Sequence, residues 1–452
     1  MIERAWRWAR GQRVGPWAFL GLAVSLLVVS LKQPDCFGSF QGKFCYTDIY
    51  VLYWNRGLKD GLIPIIQSDL EYPVLTGAFI QLAQAIARLF GAQAAPDLAA
   101  NIVQSSAVTF FWVNAALLFI CYALLVWVHL HFAKPIGAFM IGISPAIWLS
   151  GLVNWDALVI LLASAALLAW SRKHPAWAGI FIGLGVAAKL YPLLFLVPLG
   201  VLCLRASRWR EYFITCYACV LAWAAVNLPY FWLAPARWLE FWTFNVDRGS
   251  DWGSIWYVLY RFGIRIDNLS LIEAVLMVAG TAVICVLMLR APVRPRLAQG
   301  VFLITVWFLV INKVYSPQYV LWLLPLLVLA RPRWLDWALF SVAESLYYFE
   351  IWIHLTWLYE TYDFTTVDWP YALSVFLRIG VQLYICGRVI ADMYRPARDI
   401  VRIDGEGPDE GILAGCADAK WLRRFIGNSA PGVRAINDDA PAGSGYRAKP
   451  SH

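Results

Sequence analysis

Ala187-Ala188-Lys189-Leu190-Tyr191-Pro192 interrupts an apolar run that extends from 176 to 204, and the basic residues flanking that run decide how the chain folds. Arg172, Lys173 and His174 precede it, and Arg205, Arg208 and Arg210 come after it. Lysine and arginine collect on the cytoplasmic side of membrane helices, so both ends of the run are expected inside and the break outside. The run therefore reads as two short helices rather than one span. A lysine between Gly-Val-Ala-Ala and Leu-Tyr-Pro has no lipid-facing explanation, and a broken helix exposes backbone groups beside it.

The same rule extends in both directions. Apolar runs long enough to cross a bilayer lie near 15 to 32, 107 to 128, 136 to 151, 154 to 170, 212 to 231, 271 to 290, 298 to 312, 318 to 330, 334 to 355 and 370 to 391. Arg4 to Arg13, Lys134, Arg290 to Arg296, Arg331 with Arg333, and Arg388 to Arg398 fall alternately between them. The expectation is an all-α polytopic membrane protein of about twelve crossings, with both termini cytoplasmic. Tyr72 to Gly91 would add a crossing and invert the orientation of every later helix. Its Gln81, Gln84 and Arg88 make it less apolar, so it reads as re-entrant or interfacial. The domains are a cytoplasmic N-terminus (1–14), a membrane domain (15–393) and a tail (394–452) rich in Gly, Pro, Asp and Ala that is expected to be disordered.

Composition excludes several classes. With 61% hydrophobic and 15% charged residues over 452 positions, the chain is not a soluble domain. The net charge of +8 comes from arginines between apolar runs, the pattern of membrane topology rather than of nucleic-acid binding. Of nine cysteines, Cys36 and Cys45 share the first loop and could pair if that loop faces an oxidising compartment.

This topology places the unusual polar residues on the outer face: Asp48, Arg56, Glu71 and Tyr72, then Asn154 and Asp156, Lys189 and Tyr191, Arg248 and Asp251, and Lys313, Tyr315 and Gln318. Ionisable groups at membrane depth are costly, about 2.5 to 3.5 kcal/mol each, so several on one side imply a shared cavity. Asp48 is a candidate general base, against a salt bridge to Arg56. Lys189 suits a phosphate. Arg248 stands between Asp247 and Asp251, where an ion-pair cluster competes with ligand contact. Lys313 could instead snorkel, Asn154 and Asp156 could cap the next helix, and Glu344 is expected to pack on Lys189 or Lys313. No His-ligand cluster calls for a metal and no cofactor is implied, although Asp48 with Glu71 could bind a divalent cation.

Six stretches in order carry a resemblance: Cys45-Tyr46-Thr47-Asp48-Ile49 with Arg56-Gly57 and Glu71 to Gly77, Asn154-Trp155-Asp156, Ala187 to Pro192, Asp251 to Tyr257, and Asn312 to Tyr319. From about residue 15 to 395 the chain resembles glycosyltransferase family 87, in the form common in actinobacteria. Pro73-Val74 and Ile63-Pro64-Ile65 depart from the family's usual pattern. The resemblance implies a GT-C class bundle in a bacterial cell membrane that moves a sugar from a polyprenyl-phosphate donor on the outer side. It implies Asp48 as the catalytic base and Lys189 in the phosphate region; by charge alone, Arg248 or Lys313 could join Lys189 in offsetting the departing phosphate. Arg56, Glu71, Tyr72, Asn154, Asp156, Tyr191, Asp251, Tyr315 and Gln318 would line the substrates. Relatives suggest mannose, passed to a lipid-linked or glycan acceptor of the envelope. The rival reading is a transporter or flippase of lipid-linked sugars, which predicts repeat symmetry and polar residues in both membrane halves.

Overall fold

A computed structural model describes residues 2–37, 43–363, 366–402 and 407–422, with side chains from residue 13. Helices make up the fold, and apart from one isolated bridge between Pro64 and Ser68 the described residues contain no strand. Five helices have the length and composition to cross a membrane: Arg13–Cys36, Ala100–Leu130, Trp209–Leu233, Leu269–Arg290 and Trp369–Tyr394. Shorter apolar helices fill the middle. Val320–Ala330 is buried along its whole length, as a helix apolar on every side should be.

The apolar run from 176 to 204 is broken where expected. Pro175–Ala188 ends at Lys189, whose backbone is extended (φ −164°, ψ 141°), and the chain resumes in a 3-10 turn, Tyr191–Phe195, and the helix Leu196–Ala206. Pro192 has no N–H to donate to Ala188 O four residues back, and its ring would clash with that carbonyl, so the first helix cannot continue through it. Pro192 packs back on Gly185, so the chain reverses. Pro175–Ala188 also packs closely on Trp209–Leu233, because Gly179 and Gly183 lie one turn apart on its contact face. A Cβ at either would stand 2.2 Å from a carbonyl oxygen, of Thr215 or Cys219. Small residues four apart allow this backbone approach in helices that lack a hydrophobic drive to associate in lipid.

The arginines that organise the sequence gather at one end of the bundle. Arg205 is fully buried and bonds Met288 O (2.8 Å), Ala291 O (3.0 Å) and the carboxylate of Asp418. Arg294 reaches Asp418 (3.0 Å), and Arg296 reaches Asp399 (2.8 Å). Gly411 lies against Trp170 O, and Ala419 N–H donates to Arg205 O (2.6 Å). Both feet of the broken run thus stand at this end. The tail differs from expectation here: residues 396–402 and 407–422 are packed rather than structureless. Their carboxylates neutralise arginines that the helices bury, an interaction that composition alone conceals. Burial opposes ionisation of Asp418, yet Arg205 and Arg294 hold its carboxyl below the usual range. The expectation of disorder for 423–452 lies outside the described residues.

At the opposite end, Val74–Leu89 runs alongside the loop before it. Gln84 Nε2 donates to Leu58 O (2.7 Å), Gly77 faces Ile65 and Leu70, and Gly61 faces Ala94 O.

Candidate active site

Asp48 opens the helix Asp48–Asn55, with Thr47 extended before it. Its N–H donates to Val153 O (2.7 Å), which ties the first loop to the segment carrying Asn154 and Asp156. Two further links fix the approach to it: the Cys36–Cys45 disulfide, with Cα atoms 5.5 Å apart, and Gln33 Nε2, which donates to Tyr46 O (3.1 Å). The carboxylate accepts from the hydroxyl of Tyr72 (2.5 Å) and is also hydrogen-bonded by Tyr46. Burial pushes the Asp48 carboxyl above its ordinary range, while Tyr72, Tyr46 and the charge of Lys189 pull it partly back. Arg56 does not contribute, because it forms a two-pronged pair with Glu71 (2.8 and 3.2 Å). The salt-bridge alternative for Asp48 is therefore absent, and Glu71 is engaged elsewhere.

Lys189 projects from the helix break to within 3.0 Å of Asp156 Oδ1. Its ammonium stands over three rings, Tyr72 (4.9 Å), Tyr319 (5.4 Å) and Trp322 (5.4 Å). Tyr191 stacks on Trp322 at 4.6 Å, and Tyr72 meets Trp155 edge to face at 5.3 Å. Asn154 Oδ1 accepts the Asp156 N–H (3.0 Å) from the position before Trp155, which is itself the N-cap of the helix Asp156–Ser171, while Asp156 faces the lysine. Asp156 is buried, and its Oδ2, Asn154 Nδ2 and the Tyr191 hydroxyl have no hydrogen-bond partner here. An ammonium has three N–H donors, and only one serves Asp156. The others point into an aromatic cage that disperses positive charge without consuming it.

The remaining residues divide. Arg248 is paired with Asp251, and both act electrostatically on Tyr319 together with Lys189 and Asp156. Lys313 turns away: its Nζ donates to Val246 O and Ser270 Oγ, both at 3.0 Å, which leaves one of its three donors. Tyr315 is buried in the bundle with its hydroxyl accepting from Gln382 (2.6 Å), and Gln318 sits half-buried in the 3-10 turn Pro317–Tyr319. Glu344 packs on neither lysine. It faces Arg378 (3.5 Å) and accepts from Gln382 (2.5 Å), partners one helix away whose facing positions a linear reading does not reveal. Sequence reasoning passes over Tyr46, Tyr319 and Trp322, although Tyr46 and Tyr319 stand inside the quoted motifs. Among the described residues, no group of three or more His, Cys, Asp or Glu is placed to hold a metal ion.

Fold and site together define a polytopic membrane protein with an acid, a caged lysine and an arginine–aspartate pair at one end of an apolar bundle. The family model of glycosyltransferase family 87 matches residues 94–317 of the chain. That span holds Asn154, Asp156, Lys189, Tyr191, Arg248, Asp251, Lys313 and Tyr315, but not Asp48, Tyr72 or Gln318. It is shorter than the stretch over which the motifs run. No curated protein sequence matches the chain. A crystal structure of ArnT from Cupriavidus metallidurans bound to undecaprenyl phosphate is similar at 15% identity, with a TM-score of 0.42, covering 85% of this chain and 79% of that one.

Proposed function

We propose that this membrane glycosyltransferase moves a hexose, mannose first among them, from a polyprenyl-phosphate donor to a glycan or glycolipid acceptor of the cell envelope, with inversion. The observation that carries the reading is the meeting of Asp48 and Lys189 around one tyrosine, Tyr72, which donates to the acid and offers its ring to the lysine. Asp48 accepts the proton of the acceptor hydroxyl as that oxygen attacks the anomeric carbon. The bond from that carbon to the phosphate oxygen breaks, and the polyprenyl phosphate leaves with the electron pair. Lys189 stabilises the charge that develops on the departing phosphate, and Arg248 supplements it. A carboxylate with raised proton affinity is the better base at neutral pH, so the burial of Asp48 serves the reaction.

The site is assigned to the outer side of a bacterial membrane with both termini cytoplasmic. The support is the Cys36–Cys45 disulfide at the Asp48 end, since such bonds persist in oxidising compartments, and the arginines at the other end. We infer about twelve crossings, with Val74–Leu89 lying at the interface. Its 16 residues span only ~24 Å, against about 30 Å for a hydrocarbon core, and contacts with the 57–70 loop extend to Gln84.

The test is transfer from radiolabelled polyprenyl-phosphate mannose in membranes carrying wild type or Asp48→Asn. Loss of transfer at unchanged protein level is expected. Undiminished transfer by the mutant would remove Asp48 from the role of base.

A further inference from the structure

Arg378 is fully buried in the helix Trp369–Tyr394, away from the cage of Lys189. Its guanidinium lies between two rings, 3.5 Å from the centroid of Tyr315 and 3.8 Å from that of Tyr347. Nη1 donates to Tyr315 O (3.1 Å), and the Tyr347 hydroxyl donates to the same carbonyl (3.4 Å). The chain around that carbonyl is joined to a second segment. Asp251 N–H donates to Lys313 O (2.8 Å), Tyr315 N–H donates to Trp252 O (3.4 Å), and Gly253 N–H donates to the Tyr371 hydroxyl (2.7 Å). Gly253 has φ +79°, and a Cβ there would stand 2.0 Å from Tyr315 O, so the two segments close together only with glycine at this position. One segment carries Asp251, the partner of Arg248, and the other carries Tyr319, a wall of the Lys189 cage.

We propose that Arg378 is a positioning residue that joins segments 251–254 and 313–319 into one platform, setting Arg248 and Tyr319 at the phosphate side of the site. The proposal rests on the phosphate reading given above. A buried ion pair is weak grounds for stability, because apolar replacements of similar volume are often neutral. The planar guanidinium held between two rings is instead a feature that lysine cannot reproduce.

Equilibrium binding of a radiolabelled short-chain polyprenyl phosphate to the purified full chain in detergent tests it, alongside thermal unfolding and the KM and kcat of transfer. Arg378→Lys keeps the charge, and Tyr371→Phe keeps the ring and removes the acceptor for Gly253 N–H. Both are expected to weaken phosphate binding and raise the donor KM, Tyr371→Phe by up to about tenfold, the worth of one hydrogen bond. Asp48→Asn should abolish transfer and leave phosphate binding unchanged. Wild-type binding and KM in both Arg378→Lys and Tyr371→Phe, with only thermal stability lowered, would reduce Arg378 to a structural role. Should the wild-type chain not bind polyprenyl phosphate at all, the phosphate reading falls and the platform's purpose with it. Active Asp48→Asn beside weakened binding in Arg378→Lys would overturn the base alone.

Discussion

Replacing Lys189 by methionine removes the cation from the cage and leaves a side chain of similar reach. The substitution carries two separable costs. Asp156 is 1% exposed, its Oδ2 has no hydrogen-bond partner, and its Oδ1 would lose the lysine 3.0 Å away. Breaking a buried pair from one side costs about 3–5 kcal/mol, and the 17% exposure of Lys189 places the value toward the lower end. The second cost is kinetic. Losing one donor to a developing charge lowers kcat by about 10²–10³-fold. The variant Lys189→Met/Asp156→Asn distinguishes them, since a neutral amide in place of the stranded carboxylate recovers stability without restoring a cation. Thermal unfolding in detergent should therefore recover in the double variant, while transfer from polyprenyl-phosphate sugar stays depressed. Recovery of both properties would refute the reasoning and make Lys189 only a counter-ion for Asp156.

Tyr72→Phe removes a hydrogen bond that favours the Asp48 carboxylate, so the Asp48 carboxyl rises further above its ordinary range. The base must be ionised, so the rate climbs with pH through that value and its acid limb moves to higher pH in the variant; an unshifted limb would show that Tyr72 does not tune the base. Cys36 and Cys45 are expected to resist a membrane-impermeant maleimide in intact cells and to react after reduction, in a chain whose other seven cysteines are replaced by serine. Labelling that appears only after lysis would place the site end in the cytoplasm.

The break at Lys189 was legible because its cause is local: Pro192 cannot donate to Ala188 O four residues back, and flanking basic residues report which ends lie together. The company of Lys189 was not legible. Tyr72, Asp156, Tyr319 and Trp322 come from separated segments, and Asp48 binds its partner Tyr72 across 24 residues. The motifs around 45–49, 251–257 and 312–319 were visible as clusters of polar and aromatic residues. Which of their side chains face the site depends on how the segments pair, and this turned Lys313 toward Val246 O and brought Tyr319 forward.

Composition and charge spacing, read from the sequence by itself, determined that this is a helical membrane protein with its basic residues at one end and its unusual acids at the other. Both properties sum over many residues, and solvent enforces them whatever the packing. The tertiary structure alone decided which acid stays without a cation of its own, which lysine is caged and which tail carboxylates cover the buried arginines. Those outcomes depend on distances of about 3 Å between residues far apart in the chain, where a single turn of helix exchanges one partner for another.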